Sequence, residues 1–174
     1  MRLTKLDAAA DQLVTAVRLL FARQSPLSVR TLIGAASTVL ADLVDAKTPG
    51  ASWRSRLSED ARGLGIEEPY EILNRVSNFL KHANRDPQAV LEFEEEENDD
   101  ALFFATLECG EVGSVPHDLQ VFQVWYMASY PKKFDPSSEL VRVALGAYPD
   151  LEKLNRSARL VRGAAMSFAL PSAK

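Results

Sequence analysis

Apolar residues recur at steps of three and four positions over the first 45 residues of the chain. One series is Leu6, Ala10, Leu13, Val17 and Leu20, and the next is Val29, Leu32, Ala36, Val39 and Leu43. Such steps follow the 3.6-residue period of an α-helix that buries one face. Between the two series, Ser25 stands directly before Pro26, an N-cap residue followed by a first-turn proline. The pattern predicts two consecutive helices that form a hairpin.

The helical period continues to the end of the chain, interrupted by polar breaks. It predicts a short helix around 53–65, a helix from near Pro69 to the "HANRDP" stretch, and helices over 99–111, 119–130 and 137–147. The most regular segment predicts a last helix, with apolar positions at Leu151, Leu154, Ala158, Val161, Ala165 and Phe168. Residues near 91–100 have too few apolar positions for a strand and are predicted to be an acidic connector. We therefore expect one all-α domain over residues 1–174, a helical bundle with long antiparallel helices at its centre.

Cysteine and histidine are scarce, which limits the chemistry that the chain can host. Cys109 is the single cysteine, so an internal disulfide and any multi-cysteine metal site are excluded. With only two histidines, a zinc site would be hard to assemble. We predict no metal and no cofactor. The first residues lack the apolar segment of a signal peptide, and we expect no run to reach bilayer-spanning length. Both expectations favour a cytoplasmic protein without membrane association.

The net charge of -4 conceals an uneven distribution along the chain. Residues 1–86 carry 12 basic and 10 acidic side chains, residues 87–118 carry 10 acidic and no basic ones, and residues 119–174 carry 8 basic and 4 acidic ones. The acidity therefore belongs to one segment. This overall charge does not indicate nucleic-acid binding, because a phosphate backbone attracts a basic surface. Local basic faces on either side of the acidic segment remain open as binding surfaces.

Polar residues share one stripe of the helix predicted from Pro69. At about 100° per residue, Arg75, Asn78 and His82 fall within about 60° of one another, together with Glu71. The apolar face is predicted to lie beside this stripe and to consist of Ile72, Val76, Phe79 and Ala83. Ser77 and Lys81 are predicted to point outward. A polar stripe on the edge of the buried face would be partly desolvated and held in place.

An arginine and a histidine two helical turns apart suit phosphodiester chemistry. The guanidinium group of Arg75 is a planar, permanently charged donor to a phosphate, and the imidazole of His82 can pass a proton to or from a reacting oxygen. Asn78 lies between them and can orient either group or donate to a phosphate oxygen. When the nucleophile is a ribose 2′-hydroxyl, proton transfer by such a pair requires no metal.

The Arg75–His82 spacing resembles the motif of the HEPN (higher eukaryotes and prokaryotes nucleotide-binding) superfamily. That motif is an arginine, four to six residues and a histidine on one helix of an all-α domain, and "RVSNFLKH" has six intervening residues. The resemblance implies a HEPN-like bundle that forms a homodimer by pairing this helix with its copy. It also implies RNA or nucleotide binding and a metal-independent ribonuclease site, in which Arg75 holds the scissile phosphate and His82 acts as acid or base.

A structural interpretation of the same residues stays open, and with it the question of whether the chain is an enzyme. Glu71 precedes Arg75 by four residues and can form a helix ion pair of about 0.3–0.5 kcal/mol. His82, near the helix C-terminus, would interact favourably with the helix dipole. The alternative function is a non-catalytic helical module that binds a protein partner. Among the other candidates, His117 is predicted to have a turn role and Cys109 a core role, and the run Glu94–Asp100 is predicted to be a solvated loop.

Overall fold

All regular structure that the computed structural model describes is helical. It describes residues 2–66, 69–82, 84, 87–113 and 115–169, with no strand among them. The elements are α1 (Lys5–Phe21), α2 (Pro26–Lys47), α3 (Trp53–Gly63), α4 (Pro69–Lys81), α5 (Glu97–Val112), α6 (His117–Ser129), α7 (Glu139–Ala147) and α8 (Arg156–Ala169), with short 3-10 turns at Pro131–Lys133 and Leu151–Lys153. The prediction of an all-α bundle is confirmed.

The hairpin of α1 and α2 is built as the sequence predicts. Thr4 and Asp7 form a reciprocal capping box at the start of α1. At the start of α2, the Ser25 side chain accepts a hydrogen bond from the N–H of Ser28, and Pro26 occupies the first turn. The two helices pack along their length, and α2 also packs against α5. These caps fix where both central helices begin.

Aromatic side chains of α1, α5 and α6 fill the centre of the bundle. Trp125 is fully buried, and its ring meets the edge of Phe21 with the ring centroids 5.5 Å apart. Its indole N–H donates to the carbonyl oxygen of Arg159 at 2.8 Å, which satisfies the only polar atom of the side chain. This hydrogen bond joins α6 to α8.

The last helix is shorter than the predicted span of 151–168. Leu151 is fully buried, but it lies in a separate 3-10 turn, and α8 begins only at Arg156. The break follows from the side chain of Asn155, which accepts a hydrogen bond from the N–H of Ala158 at 2.9 Å and so caps a new helix. Asp150, just before the 3-10 turn, has a left-handed backbone conformation, with φ 59°. The predicted apolar face is buried at Leu151 but not throughout α8, where Val161 is 51 % exposed and Leu160 packs in the core instead.

One described helix, α2, is long and apolar enough to cross a membrane when judged by length and composition alone. About 39 % of that apolar window is buried inside the fold, where α2 packs against α1 and α5. Core helices of globular proteins pass the same test, so this is weak evidence for a membrane span. Cytoplasmic location without membrane association stays a prediction.

Two helical glycines provide a matched test of how closely α8 approaches the core. A Cβ atom on Gly163 would lie 2.3 Å from a ring carbon of the buried Phe21, whereas a Cβ atom on Gly146 would meet nothing within 4 Å. We expect Gly163→Ala to lower the free energy of unfolding by about 1–3 kcal/mol through overpacking. Gly146→Ala should raise it by up to about 1 kcal/mol through helix propensity.

Urea unfolding followed by circular dichroism measures both changes. If Gly163→Ala is as stable as Gly146→Ala, then α8 does not approach Phe21 as closely as the structure places it.

Candidate functional site

The predicted polar stripe forms the outward face of α4. Arg75, Asn78 and His82 are all exposed, whereas Val76 and Ser77 are buried at 1 % and 6 % exposure. The prediction that this stripe lies on the edge of the buried face is therefore wrong, because the stripe lies nearly opposite the buried side. It is accessible to a large ligand, but in the single chain it is solvated.

The rotation of α4 also corrects two neighbouring predictions. Ser77, expected to point outward, is buried against α2, and a Cβ atom on Gly34 would lie only 2.3 Å from its Oγ atom. Phe79, expected in the core, is 39 % exposed. Because Gly34 of α2 has no side chain, α4 can pack against α2 through the small residue Ser77. This orientation of α4 turns Phe79 toward solvent. Ala83 and the side chains of Glu71 and Ile72 lie outside the described part of the chain.

Arg75 is held by the segment that precedes α5. Its Nη1 atom donates to the carbonyl oxygen of Glu92 at 3.1 Å, and its Nη2 atom lies 3.6 Å from Oε1 of Glu97. The side chain remains 52 % exposed. Arg75 thus has an acidic partner from α5 in addition to any local pairing on its own helix, and its guanidinium group is oriented while it still faces solvent.

A second arginine, missed in the sequence interpretation, lies near Arg75. Arg30 of α2 donates from Nη1 to the backbone oxygen of Glu97 at 3.3 Å. Burial lowers the pKa of Arg30, Glu97 raises it, and repulsion from Arg75 lowers it again. Two guanidinium groups from different helices therefore meet around Glu97. Sequence spacing gives no signal for this, because the two arginines are 45 positions apart.

His82 follows the last residue of α4 directly. Its backbone N–H donates to the carbonyl oxygen of Asn78 at 3.0 Å, so the helical geometry extends to this residue. The His82 side chain is exposed. Arg75, Asn78 and His82 consequently share one face over two turns, as the helical period predicts, but this face is exposed and not partly buried.

A cavity of about 360 Å³ lies on the inner side of α4, between α2, α3, α4 and α5. Its apolar walls include Ile33, Trp53, Leu57 and Phe104, and its polar lining includes Arg30, Arg54, Asn74, Ser77, Glu97 and Glu108. Arg75, Asn78 and His82 are not among the lining residues that the structure describes. Ligand cavities commonly fall in a range of about 300–1,000 Å³. The two faces of α4 thus present two different environments.

Glu108 is the most unusual residue of this cavity. Its side chain is 3 % exposed, and burial raises its pKa to about 7, although hydrogen bonding from the backbone N–H groups of Arg54 and Trp53 opposes this rise. Its Oε1 atom has no hydrogen-bond partner within the described ranges. Sequence interpretation missed this residue; the available signal was its helical spacing from Phe104, four positions earlier on α5.

The acidic run Glu94–Asp100 is only partly a solvated loop. Asp99 is fully buried in the first turn of α5, where Nη2 of Arg156 lies 2.8 Å from its Oδ1 and the Tyr130 hydroxyl donates to its Oδ2 at 2.6 Å. Burial raises the pKa of Asp99, while Arg156 and Tyr130 oppose this rise. The predicted connector therefore ends at residue 96, because α5 begins at Glu97 and Asp99 in its first turn pairs with Arg156 of α8.

Other candidate residues have simple environments. Cys109 is fully buried, which confirms its predicted core role, and burial raises the pKa of its thiol. His117 is exposed and is the first residue of α6, so it lies at a helix start instead of in the predicted turn. Within the described ranges, no group of three or more His, Cys, Asp and Glu side chains is arranged to hold a metal ion.

Comparison of the chain with protein-family models, curated proteins and solved structures gives no match. The HEPN relationship therefore rests on the Arg75–His82 motif and the all-α fold class, and it stays a prediction.

Proposed function

We propose that the protein is a HEPN-like domain that binds single-stranded RNA through the outward face of α4. The observation that carries this proposal is the shared exposure of Arg75, Asn78, Phe79 and His82 on that face. Charged and polar donors beside an accessible aromatic ring are the elements with which proteins bind single strands, because phosphates pair with arginine and bases stack on rings.

The two arginines around Glu97 support phosphate binding. Repulsion between Arg30 and Arg75 contributes to the lowered pKa of Arg30, so an anion placed between them would relieve this repulsion. Glu97 occupies part of that position and competes with a phosphate for Arg75, whose Nη2 atom lies 3.6 Å from Oε1. The competition predicts weak binding to RNA, which strengthens when Glu97 is neutralised.

Cleavage of the bound RNA would require a second copy of the chain. An imidazole in full solvent is a weak general acid or base in comparison with one held in a closed site. A homodimer that pairs the α4 faces would cover Phe79 and bring two copies each of Arg75 and His82 together. In that assembly Arg75 would hold the phosphate, His82 would transfer the proton, Asn78 would orient either group, and the reaction would be independent of metal.

Removal of Arg75 or His82 should lower the affinity for RNA, and neutralisation of Glu97 should raise it. With a fluorescent unstructured RNA oligonucleotide at low salt, we expect Arg75→Ala to weaken binding about tenfold and to reduce the slope of log affinity against log salt by about 0.7. His82→Ala should weaken binding by less. Glu97→Gln should strengthen it severalfold, because Arg75 then loses its competing partner. Fluorescence anisotropy titrations measure all three.

Arg142→Ala is the matched control, since this exposed arginine lies on α7. If Arg75→Ala and Arg142→Ala weaken binding equally, RNA is bound by non-specific charge attraction. That result would refute the proposal that the outward face of α4 is the RNA-binding surface. Incubation of the same RNA in EDTA then tests the enzyme: cleavage that survives chelation and is lost in both Arg75→Ala and His82→Ala supports it, and intact RNA eliminates it.

A protein-interaction module is the second candidate function, and the exposed side of α7 favours it. Leu140 and Val143 are 67 % and 57 % exposed, and Leu140 also lines an apolar cavity of about 410 Å³ between α5, α6 and α7. Exposed apolar side chains beside a groove are typical of surfaces that bind other proteins. Thermal melting separates the two candidates, because RNA raises the midpoint only if the folded protein binds it.

A further inference from the structure

The cavity behind α4 has walls that suit a flat, apolar ligand. The rings of Trp53 and Phe104 are 5.4 Å apart and form one side, and Ile33 and Leu57 contribute aliphatic surface. Aromatic ligands gain both apolar burial and ring contacts from such walls. The body of a ligand in this cavity is therefore expected to be a small aromatic ring.

Most charged groups of the cavity already have partners. Arg54 lies 2.8 Å from Oδ1 of Asp42 and 3.7 Å from Oδ2 of Asp45. Asp100 accepts hydrogen bonds from Lys133 and from the Tyr126 hydroxyl, both at 2.5 Å. The cavity lining carries two arginines and three carboxylates, so it has an excess of one negative charge only when Glu108 is ionised.

Glu108 is the polar group that remains incompletely satisfied. It is 97 % buried, and its Oε1 atom lacks a hydrogen-bond partner in the part of the chain that the structure describes. A buried acceptor without a donor loses the free energy of its hydration, and a ligand N–H would compensate for this loss. Aromatic walls and an unpaired carboxylate oxygen together favour a cation, since rings also attract positive charge through their faces.

We propose that this cavity binds a small aromatic cation, an amidinium or a primary ammonium on a ring, whose N–H group donates to the Glu108 carboxylate. The ring lies against Trp53 and Phe104, and the charged end reaches α5. The cavity lies on the inner side of α4, and it shares Arg30 and Glu97 with the phosphate position proposed above. The cation proposal does not depend on RNA binding.

Binding of such a cation is coupled to the ionisation of Glu108. Its pKa of about 7 reflects burial, with Arg54 lowering it and Asp45 raising it. Arg30, Glu97 and Asp100 are the other charged groups of the lining. A bound cation favours the carboxylate, so binding below this pKa must release a proton. Affinity at pH 6 should therefore be about tenfold weaker than at pH 8.

The two tryptophans of the chain allow a direct test with benzamidine as the probe. In ¹⁵N-labelled protein, the indole N–H resonance of Trp53 should shift saturably with benzamidine. The indole N–H resonance of Trp125 should not move, because it is bonded to Arg159 in the core. Glu108→Gln should weaken the affinity at least tenfold and abolish its difference between pH 6 and pH 8. Benzoate, which has the same ring and the opposite charge, should not bind.

Three results would overturn the proposal: no saturable shift of Trp53 at millimolar benzamidine, equal affinity in Glu108→Gln, or equal affinity for benzoate. Retained Trp125 resonances in the variant confirm that it is folded, so weaker binding is not a result of unfolding.

Discussion

Arg156→Ala is expected to lower the free energy of unfolding by about 3–5 kcal/mol, the range found when one partner of a buried ion pair is removed. Asp99 is fully buried and is held by Nη2 and Nε of Arg156 at 2.8 and 3.3 Å. Without the guanidinium group, the carboxylate keeps the Tyr130 hydroxyl but loses its only close positive partner within the described structure. Urea unfolding at pH 7 measures the loss.

The double variant with Asp99→Asn separates charge from packing. It should recover part of the stability that Arg156→Ala loses, because the unpaired charge is removed while the side-chain volume is kept. The loss should also shrink as the pH falls through the pKa of Asp99, which burial raises. Arg142→Ala, on the exposed side of α7, serves as the control with little effect. A loss below about 1 kcal/mol in Arg156→Ala would contradict the buried pair.

Glu108→Gln is expected to raise the free energy of unfolding at pH 8 by up to about 3 kcal/mol. The pKa of Glu108 is about 7 in the folded protein, above its ordinary value of 4.5. The folded state therefore binds more protons than the unfolded chain between these values, and stability falls as the pH rises from 4.5 to 7. Glutamine retains an acceptor for the N–H groups at the start of α3 but does not titrate.

Urea unfolding at pH 5 and pH 8 measures this difference. The wild type should lose stability between the two pH values relative to Glu108→Gln, and the two proteins should be similar at pH 5. Glu111→Gln provides the control, since Glu111 is exposed on the same helix. An equal decline in wild type and Glu108→Gln would show that Glu108 is ionised in the folded protein at pH 5.

Helix positions were predictable where local chemistry determines them. The Ser25–Pro26 cap and the apolar period fixed α1 and α2 without any tertiary information. The rotation of α4 was not predictable, because it depends on the close approach of Ser77 to Gly34 of another helix. The start of α8 was hidden for a related reason: buried Leu151 continues the apolar period across the Asn155 cap.

The candidate site residues also differ in whether local sequence or tertiary contacts determine their environment. Arg75, Asn78 and His82 share one helix, so their common face follows from the helical period and is observed. Glu108 and Asp99 belong to a segment with ten acidic residues and no basic one, where the sequence does not indicate which carboxylates are buried. The burial of Asp99 depends on its contact with Arg156, 57 positions later in the chain. The environment of Glu108 depends on the backbone N–H groups at the start of α3. Neither contact can be inferred from local sequence.

The contacts of Arg75 with the carbonyl oxygen of Glu92 and the carboxylate of Glu97 connect the exposed face of α4 to the first turn of α5. That same turn carries Asp99, which fastens α8 to the bundle. Any molecule that draws Arg75 away must first break these two contacts, so its measured affinity includes the work of releasing them.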